Sequence, residues 1–213
     1  MSRIPSSTKG RTRKQLLLQA SFRLFVKKGI GDVSLEDILV ESGIKKGNFY
    51  HYFTSKDQLV IESLMECYHK PFYTWFEKLI NKKMKAREAI EYYFCNSALH
   101  MEQIWRDIVK DPDLQARDVF QMTREATRKF KDIAREYQLY DERVHTWIIG
   151  LLKKEQAAGR IAGSADIDSL CDFIFSCCEG VYYRWIMNTN VDFKSAMMNV
   201  FNFIWQVVLL PAE

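Results

Sequence analysis

The segment from Ser34 to Leu59, SLEDILVESGIKKGNFYHYFTSKDQL, constrains the fold of this chain more than any other part of its sequence. Ser34 precedes an apolar-periodic run and Asp37 follows three residues later, which is the pattern of a capping box at the start of a helix. Gly43 predicts the end of that helix, because glycine readily adopts the left-handed backbone of a tight turn. The sequence therefore predicts a short helix that stops at a turn.

A second short helix is predicted after the turn, over Lys45 to Tyr52, with two lysines and an asparagine near its leading end. Ser55 and Gln58 have the spacing of another capping box and predict the start of a longer helix. A short helix, a glycine turn and a second short helix with a polar leading end match the helix-turn-helix, which places its second helix in the major groove of DNA.

The residues around this motif resemble a known family. The stretches TRKQLLLQASFRLFVKKGIGDVSLEDI and SGIKKGNFYHYFTSKDQL, both between Thr12 and Leu64, are similar to the DNA-binding domain of the tetracycline-repressor (TetR) family of bacterial transcription regulators. The rest of the chain resembles that family only in length and helical character. The resemblance implies an all-α fold with an N-terminal three-helix helix-turn-helix domain, residues 1–54, and a C-terminal helical ligand-binding and dimerisation domain, residues 55–213.

The charge of the chain is concentrated in its first part. Residues 1–60 hold eleven Lys and Arg against five Asp and Glu, whereas the remaining residues hold 20 against 22. A basic N-terminal unit on a nearly neutral remainder is the charge distribution expected of a protein that binds a polyanion. The few Gly and only four Pro favour a helical protein.

Residue roles in DNA binding follow from the geometry of a recognition helix together with the resemblance. The leading residues of such a helix face base edges, so Lys45, Lys46 and Asn48 are predicted to contact bases. Contacts with the DNA backbone or groove are predicted for a second set: Ser34, Gly47, Tyr50, His51, Lys56, Arg11 and Thr12. The resemblance implies the phosphate contacts within this set, and the basic leading tail could equally be an ordinary disordered terminus.

Helices are predicted in both parts of the chain. The first runs from Thr12 to about Lys28 and buries an apolar stripe that includes Leu16, and Phe49 and Phe53 pack the recognition helix against it. Further helices are predicted over residues 55–82, 85–106, 112–137, 141–158, 166–188 and 192–209. Pro71 predicts a kink or break in the first of these, since proline removes a helical hydrogen bond.

The last two predicted helices are apolar over wide arcs, which requires burial on more than one side. They could form the core of a single chain. Because the resembled family pairs through its last two long helices, we expect them to form a homodimer interface that contains Phe173, Cys177, Gly180, Phe201 and Trp205. A two-fold dimer also suits a palindromic operator with two half-sites.

An aromatic-rich stretch lies between the DNA-binding part and the last helices. The resembled family encloses a small-molecule cavity with the corresponding helices, and aromatic side chains suit an apolar or flat ligand. Candidate lining residues are Phe72, Trp75, Phe76, Tyr93, Trp105, Phe120 and Trp147. Aromatic residues at helical spacing also occur as ordinary core, so this alternative stays open at the level of sequence.

Other function classes have little support in the sequence. The four histidines are scattered, and neither a His-x-x-x-His nor a Cys-x-x-Cys pair nor a glycine-rich phosphate loop is present. We therefore expect no enzyme activity, no metal and no cofactor. No apolar signal core or membrane-spanning run is found, and the five cysteines suit a reduced compartment, so a cytoplasmic protein is expected.

These patterns lead to one functional hypothesis and one alternative. The chain is expected to be a homodimeric repressor that binds a double-stranded, palindromic DNA operator and is released by a small apolar or aromatic effector. The alternative is a DNA-binding organiser of the same fold that has no small-molecule inducer.

Overall fold

The computed structural model describes the backbone of residues 8–208 and the side chains of residues 12–208. Within those residues the chain is helical and contains no β-strand, which confirms the predicted all-α fold. The helices are α1 (Thr8–Lys28), α2 (Leu35–Ser42), α3 (Lys46–Phe49), α4 (Lys56–Leu64), α5 (Lys70–Ile80), α6 (Ala86–Val109), α7 (Ala116–Lys129), α8 (Lys131–Ala157), α9 (Ile167–Met187) and α10 (Phe193–Val208), with a π-helical turn at Met65–His69 between α4 and α5.

Helix α1 forms the centre of the N-terminal part and contacts both α2 and α4. It begins at Thr8, four residues before the predicted start at Thr12, so Thr12 lies inside the helix. Leu16 is 43 % exposed and lies outside the buried stripe, whereas Leu17 and Phe22 are fully buried. The buried Ser63 hydroxyl of α4 donates to the backbone carbonyl of Leu18, which joins α4 to α1.

The predicted capping box at the start of α2 is confirmed. The Ser34 side chain accepts from the Asp37 N–H, and the Asp37 carboxylate accepts from the Ser34 N–H. Gly43 ends α2 in the left-handed conformation, with a φ of 65°, as a tight turn requires. The following helix, α3, is shorter than predicted and covers only Lys46–Phe49.

The second predicted capping box is only half formed. The Ser55 hydroxyl accepts from the Gln58 N–H at 3.1 Å, as expected of an N-cap. The Gln58 side chain, however, reaches past Ser55 and accepts from both the N–H and the hydroxyl of Thr54. The start of α4 is therefore fixed by two neighbouring residues.

Pro71 distorts the helix without breaking it. The π-helical turn Met65–His69 precedes Pro71, and the Lys70 N–H bonds to the Met65 carbonyl five residues back. The extra residue in this turn lets the helix pass into α5, where the proline has no N–H to donate. The predicted kink is thus a widened turn.

Several predicted helix boundaries are wrong, and α8 runs without a break through residues 137–141, where two predicted helices were separated. Pro112 does not start a helix, because residues 110–115 form a turn in which the Asp111 carboxylate accepts from the Asp113 N–H, and α7 begins at Ala116. Phe130, predicted inside one helix, has an extended backbone that ends α7, while its carbonyl accepts from Ala134 in α8. Its ring is buried, so side-chain packing sets this boundary without a Gly or Pro.

The chain divides into two compact units. Unit 1 comprises the residues up to Thr74 together with Met101–Tyr137, so it contains α1 to α4 and also α7. Unit 2 comprises Trp75–His100 and the residues from Gln138 onward, and in it α9 packs on α10. The predicted domain boundary between residues 54 and 55 stays a prediction.

Candidate nucleic-acid interface

The surface of α3 is polar and open to solvent. Exposed side chains on α3 and its flanks are those of Lys45, Lys46, Tyr50 and His51, with Gly47 also exposed and Asn48 half-buried. A Cβ added at Gly47 would meet no atom of the chain within 4 Å, so nothing inside the protein requires glycine there. The predicted base-contact residues therefore share one accessible helix surface.

The opposite side of α3 is anchored in the core of unit 1. Phe49 is fully buried and Phe53 is 1 % exposed, and their ring centroids lie 5.6 Å apart. The Lys14 ammonium of α1 lies 5.5 Å from the centroid of the Phe53 ring, close enough for a cation–π contact. The predicted packing role of both phenylalanines is confirmed, and their burial orients the polar residues outward.

Ser34 lies at the exposed start of α2, where a phosphate contact is predicted. Its hydroxyl is already engaged, because it donates to the Asp37 carboxylate and accepts from the Asp37 N–H. The hydrogen bonds from the Ser34 hydroxyl and then from its N–H hold the pKa of the Asp37 carboxyl below its ordinary value. A DNA phosphate at this point would share these donors with Asp37.

Lys56 opens α4 but is not a freely exposed cation. Its ammonium donates to the backbone carbonyl of Ile30 at 2.9 Å, and the side chain is half-buried. Burial lowers its pKa, and the nearby Lys129 adds to this effect. An ammonium has three donors, so the bond to Ile30 fixes its position and leaves two N–H groups for other acceptors.

Two further predicted DNA contacts, Arg11 and Thr12, belong to the first turns of α1. Thr12 is exposed on α1. The side chain of Arg11 lies outside the described residues. The predicted DNA contacts of both residues stay predictions.

A set of long-range contacts in unit 1 has no counterpart in the sequence patterns. Arg23 of α1 donates to Glu41 of α2 and to the backbone carbonyl of Val109. Lys27 pairs with the buried Asp111 carboxylate at 2.7 Å. These partners lie up to 86 residues apart, so no local motif marks them.

Glu125 of α7 makes a further contact of this kind. Its carboxylate accepts from the backbone N–H groups of Ile30 and Gly31, each at 3.1 Å. Together with Arg23 and Lys27, it ties the helix-turn-helix to the end of α6 and to α7.

The predicted ligand-pocket residues separate into two aromatic clusters. In unit 1, Trp105 is fully buried and its ring lies near those of Tyr68, Phe72 and Phe120, with centroid distances of 5.4, 6.4 and 5.8 Å. In unit 2 the rings of the remaining predicted residues contact one another: Trp75, Phe76, Tyr93 and Trp147. Each cluster packs as a core does, and the role of these rings in ligand binding stays a prediction.

The predicted dimer residues have different environments. Phe173 is 49 % exposed, Gly180 is exposed and Cys177 is half-buried. Phe201 and Trp205, in contrast, are buried within their own chain, where the Phe201 ring lies 5.8 Å from that of Phe94. Both rings are already covered within their own chain, and their role as interface residues stays a prediction.

Sequence periodicity missed the apolar residues that α9 and α10 do expose. Large apolar side chains that are more than half exposed there are those of Tyr183, Met187, Phe203 and Val207. The patterns were insufficient because both helices are apolar nearly all round, and only packing shows which side is covered.

Metal and membrane functions receive no support from the described residues. Between residues 8 and 208, no cluster of three or more His, Cys, Asp or Glu side chains is arranged to hold a metal ion. None of the helices in that range has the length and hydropathy needed to cross a membrane.

Comparison with known proteins points to one family. Residues 17–62 match the family model described as bacterial regulatory proteins, tetR family. The chain is 34 % identical over 73 residues to an uncharacterised HTH-type transcriptional regulator, YuxN of Bacillus subtilis, a match that spans 24 % of that relative and 34 % of this chain. It is 22 % identical over 177 residues to the HTH-type transcriptional regulator TtgR of Pseudomonas putida, which covers 83 % of this chain and 80 % of TtgR. It is 28 % identical over 110 residues to the HTH-type transcriptional repressor KstR2 of Mycolicibacterium smegmatis, covering 45 % of this chain and 51 % of KstR2.

Solved structures share the fold over most of the chain. A TetR transcription regulator from Haloarcula marismortui superposes with a TM-score of 0.71 at 16 % identity, covering 94 % of this chain and all of that one. SmeT, the repressor of the Stenotrophomonas maltophilia multidrug efflux pump SmeDEF, superposes with a TM-score of 0.68 at 15 % identity, covering 93 % of this chain and 91 % of SmeT. Residues 17–62 of the chain are therefore similar to the tetR family of bacterial regulatory proteins, and the proteins that the chain resembles are transcriptional regulators rather than enzymes.

Proposed function

We propose that this protein is a homodimeric repressor that binds a palindromic DNA operator through α3 and is released by a small apolar or aromatic molecule. The observation that carries the proposal is the open polar surface of α3, where Lys45, Lys46 and Asn48 stand on a helix whose other side is locked by Phe49. Lysine can donate to guanine O6 and N7, and asparagine can form a bidentate pair with adenine. Repression is supported by two similar proteins, KstR2 and SmeT, that are named as repressors.

Dimerisation is supported by the exposed face of α9. Phe173, Ser176, Gly180, Tyr183 and Met187 are all exposed, and their alternating spacing of three and four residues places them on one side of the helix. Tyr183 and Met187 are 54 % and 67 % exposed, and large apolar side chains that share one face of a helix are typical of a surface that another protein covers.

Helix α10 extends the same proposed interface. Phe203 and Val207 are 63 % and 69 % exposed and lie four residues apart, one turn along the helix. Since α9 packs on α10 within unit 2, the two stripes belong to one compact unit. A second copy of this chain is the partner we propose, because a two-fold dimer would present two α3 helices to two half-sites.

The aromatic side chains of the chain support an effector that is small and apolar or aromatic. The aromatic clusters around Trp105 in unit 1 and around Phe76 in unit 2 supply flat apolar surfaces of the kind that bind flat apolar ligands. The protein has one conformation that binds DNA and another that does not. Release requires that the effector have a higher affinity for the conformation that does not bind DNA.

The test is a selection of operator sequences from random duplex DNA with the purified protein, followed by mobility-shift titration. We expect Asn48→Ala to relax base preference, and Lys56→Ala to weaken binding evenly across sequences and to reduce the salt dependence by about one phosphate. Recovery of no preferred sequence by the wild-type protein would overturn the proposal. Equal effects of the two variants on base preference would overturn the assignment of roles.

A thermal-shift screen against small apolar and aromatic compounds tests the effector. A compound that raises the melting temperature and also weakens operator binding supports release by a ligand. Selective DNA binding with no such compound would favour the organiser without an inducer.

A further inference from the structure

The loop between α1 and α2 wraps around a carboxylate that comes from α7. The N–H groups of Ile30 and Gly31 donate to opposite oxygens of Glu125, Oε2 and Oε1, both at 3.1 Å. The Ile30 carbonyl, on the other side of the same residue, accepts from the Lys56 ammonium at 2.9 Å. One loop residue is therefore held simultaneously by α7 and by the first residue of α4.

The sequence of the loop suits this arrangement. Gly29 has a φ of +84°, a conformation that side chains other than glycine rarely adopt, and a Cβ there would lie 3.5 Å from Glu125 Oε2. Ile30 is fully buried, so the loop is anchored by its side chain as well as by its backbone. Gly31 lies three residues before Ser34, the cap of α2.

Charged side chains of α7 act on the ammonium of Lys56. Glu125 and Lys129, one helical turn apart on α7, act on Lys56 in opposite directions, and Asp57 and Asp32 add attraction. The Lys56 ammonium thus lies in a local field to which α7 contributes both an acid and a base. The hydrogen bond to the Ile30 carbonyl fixes the position of this ammonium.

We propose that Glu125 is a positioning residue for DNA binding: it holds the Gly29–Gly31 loop on α7, and the loop holds Lys56 where it contacts a DNA phosphate. The proposal rests on the function proposed above. It makes operator affinity depend on the position of α7 relative to the loop, and it gives an acidic residue a favourable role in binding a polyanion. A simple charge argument predicts the opposite, because removal of an acid strengthens attraction to DNA.

The test uses the full-length protein and the duplex recovered from random DNA by the wild-type protein. Glu125→Gln, Lys56→Met and the double variant are compared by titration over a range of salt concentrations. We expect each single variant to bind about tenfold more weakly, the loss typical of one charged hydrogen bond, and to have a salt slope reduced by about 0.9. We expect the double variant to bind no more weakly than the weaker single variant, because both changes remove the same phosphate contact.

Glu88→Gln is the matched control. Glu88 is exposed at the start of α6, in unit 2, and the substitution removes the same charge. We expect it to bind DNA as tightly as the wild type or slightly more tightly. Amide hydrogen exchange in the absence of DNA supplies an independent readout. The amides of Ile30 and Gly31 should exchange faster than in the wild type in Glu125→Gln, and at the wild-type rate in Glu88→Gln.

Three results would overturn the inference: binding by Glu125→Gln as tight as that of Glu88→Gln, losses that multiply in the double variant, or unchanged exchange at Ile30 and Gly31. If Glu125→Gln is unfolded at the assay temperature, Glu125→Asp replaces it, with the same loss expected because the shorter side chain withdraws the carboxylate from the loop. Failure of the wild-type protein to select any sequence would overturn the proposed function and this inference together. Selective binding with multiplying losses would overturn this inference alone.

Discussion

Single residues in this protein carry their roles through contacts that the sequence around them does not reveal. Lys56 was predicted to contact the DNA backbone or groove, and its ammonium also donates to the Ile30 carbonyl. Its N-terminal position on α4 was readable, because Ser55 has the pattern of an N-cap. Its hydrogen-bond partner could not be predicted from the sequence, because Ile30 lies 26 residues earlier in the chain.

His69 gives a prediction at this scale, because it is buried in the π-helical turn and its Nε2 finds no hydrogen-bond partner among the described residues. Burial lowers its pKa to about 4. The unfolded chain, with a His pKa of about 6.5, therefore binds more protons between these two values, so stability falls as the pH drops through that range. We expect the free energy of unfolding to fall by up to about 3 kcal/mol from this residue.

The measurement for this prediction is urea unfolding of the wild type and of His69→Leu between pH 7 and 4. The variant should lose this part of the pH dependence. Any loss in its free energy of unfolding at neutral pH should not exceed that of a large-to-small substitution at a buried position. His100, whose pKa is lowered first by burial and then by Lys82 and Lys78, is present in both proteins and cancels. An identical pH dependence in the two proteins would contradict the prediction.

At the scale of helices, local sequence signals succeeded where the capping residue acts on its own turn. The Ser34–Asp37 box and the glycine turn at Gly43 were predicted and are confirmed. The break at Phe130 was missed, because a buried aromatic ring and not a capping residue sets it. Pro71 was recognised as a disturbance, but a π-helical turn absorbs it.

The cap of α2 gives a prediction at this scale. Ser34→Ala removes the hydroxyl that accepts from the Asp37 N–H, and we expect a loss of about 1 kcal/mol in the free energy of unfolding, measured by urea titration at neutral pH. The same change should raise the pKa of Asp37 toward its ordinary value, since the Ser34 hydroxyl is the largest cause of its lowering. A pKa held below its ordinary value contributes stability above that value, and the contribution is lost as the pH falls through the folded-state pKa.

Nuclear magnetic resonance titration of the Asp37 carboxyl checks the second part. Ser34→Thr is the control, because threonine keeps the hydroxyl and is also accepted at N-caps. An unchanged Asp37 titration in Ser34→Ala would show that the hydroxyl does not hold the carboxylate.

At the scale of the whole molecule, the proposed dimer depends on which apolar residues of α9 and α10 are left exposed. The exposed stripes on α9 and α10 carry large apolar side chains, whereas Phe201 and Trp205 are buried in unit 2. Both groups of residues come from helices that are apolar over wide arcs. Only the packed structure therefore shows which of these residues are exposed and which are buried within the chain.

Gly180 gives the prediction at this scale. It is exposed in the middle of α9, and a Cβ added there would meet nothing within 4 Å of its own chain. Gly180→Leu should therefore leave the single chain folded, since glycine costs a helix interior about 0.5–1 kcal/mol relative to alanine. If two α9 helices approach closely at this point, the larger side chain should weaken the dimer by roughly tenfold or more.

Analytical ultracentrifugation over a concentration series measures this effect. Gly150→Leu is the matched control, because Gly150 is also exposed inside a helix, α8, and has the same open space around its Cβ position. The control should retain the dimerisation constant of the wild type. Equal dimerisation of both variants would exclude Gly180 from the interface.

The sequence by itself determined the helical class, the helix-turn-helix with its capping box and glycine turn, and the resemblance to the tetR family. These features depend on residues within a few positions of one another, whose hydrogen bonds and periodicity act locally. Only the tertiary structure decided which apolar residues of α9 and α10 are covered, and that Glu125 holds the Gly29–Gly31 loop from 95 residues away. Amphipathic patterns specify which side of a helix is buried, but not which other helix it packs against. Many neighbouring elements could bury the same side, and the packing of the whole chain selects one of them.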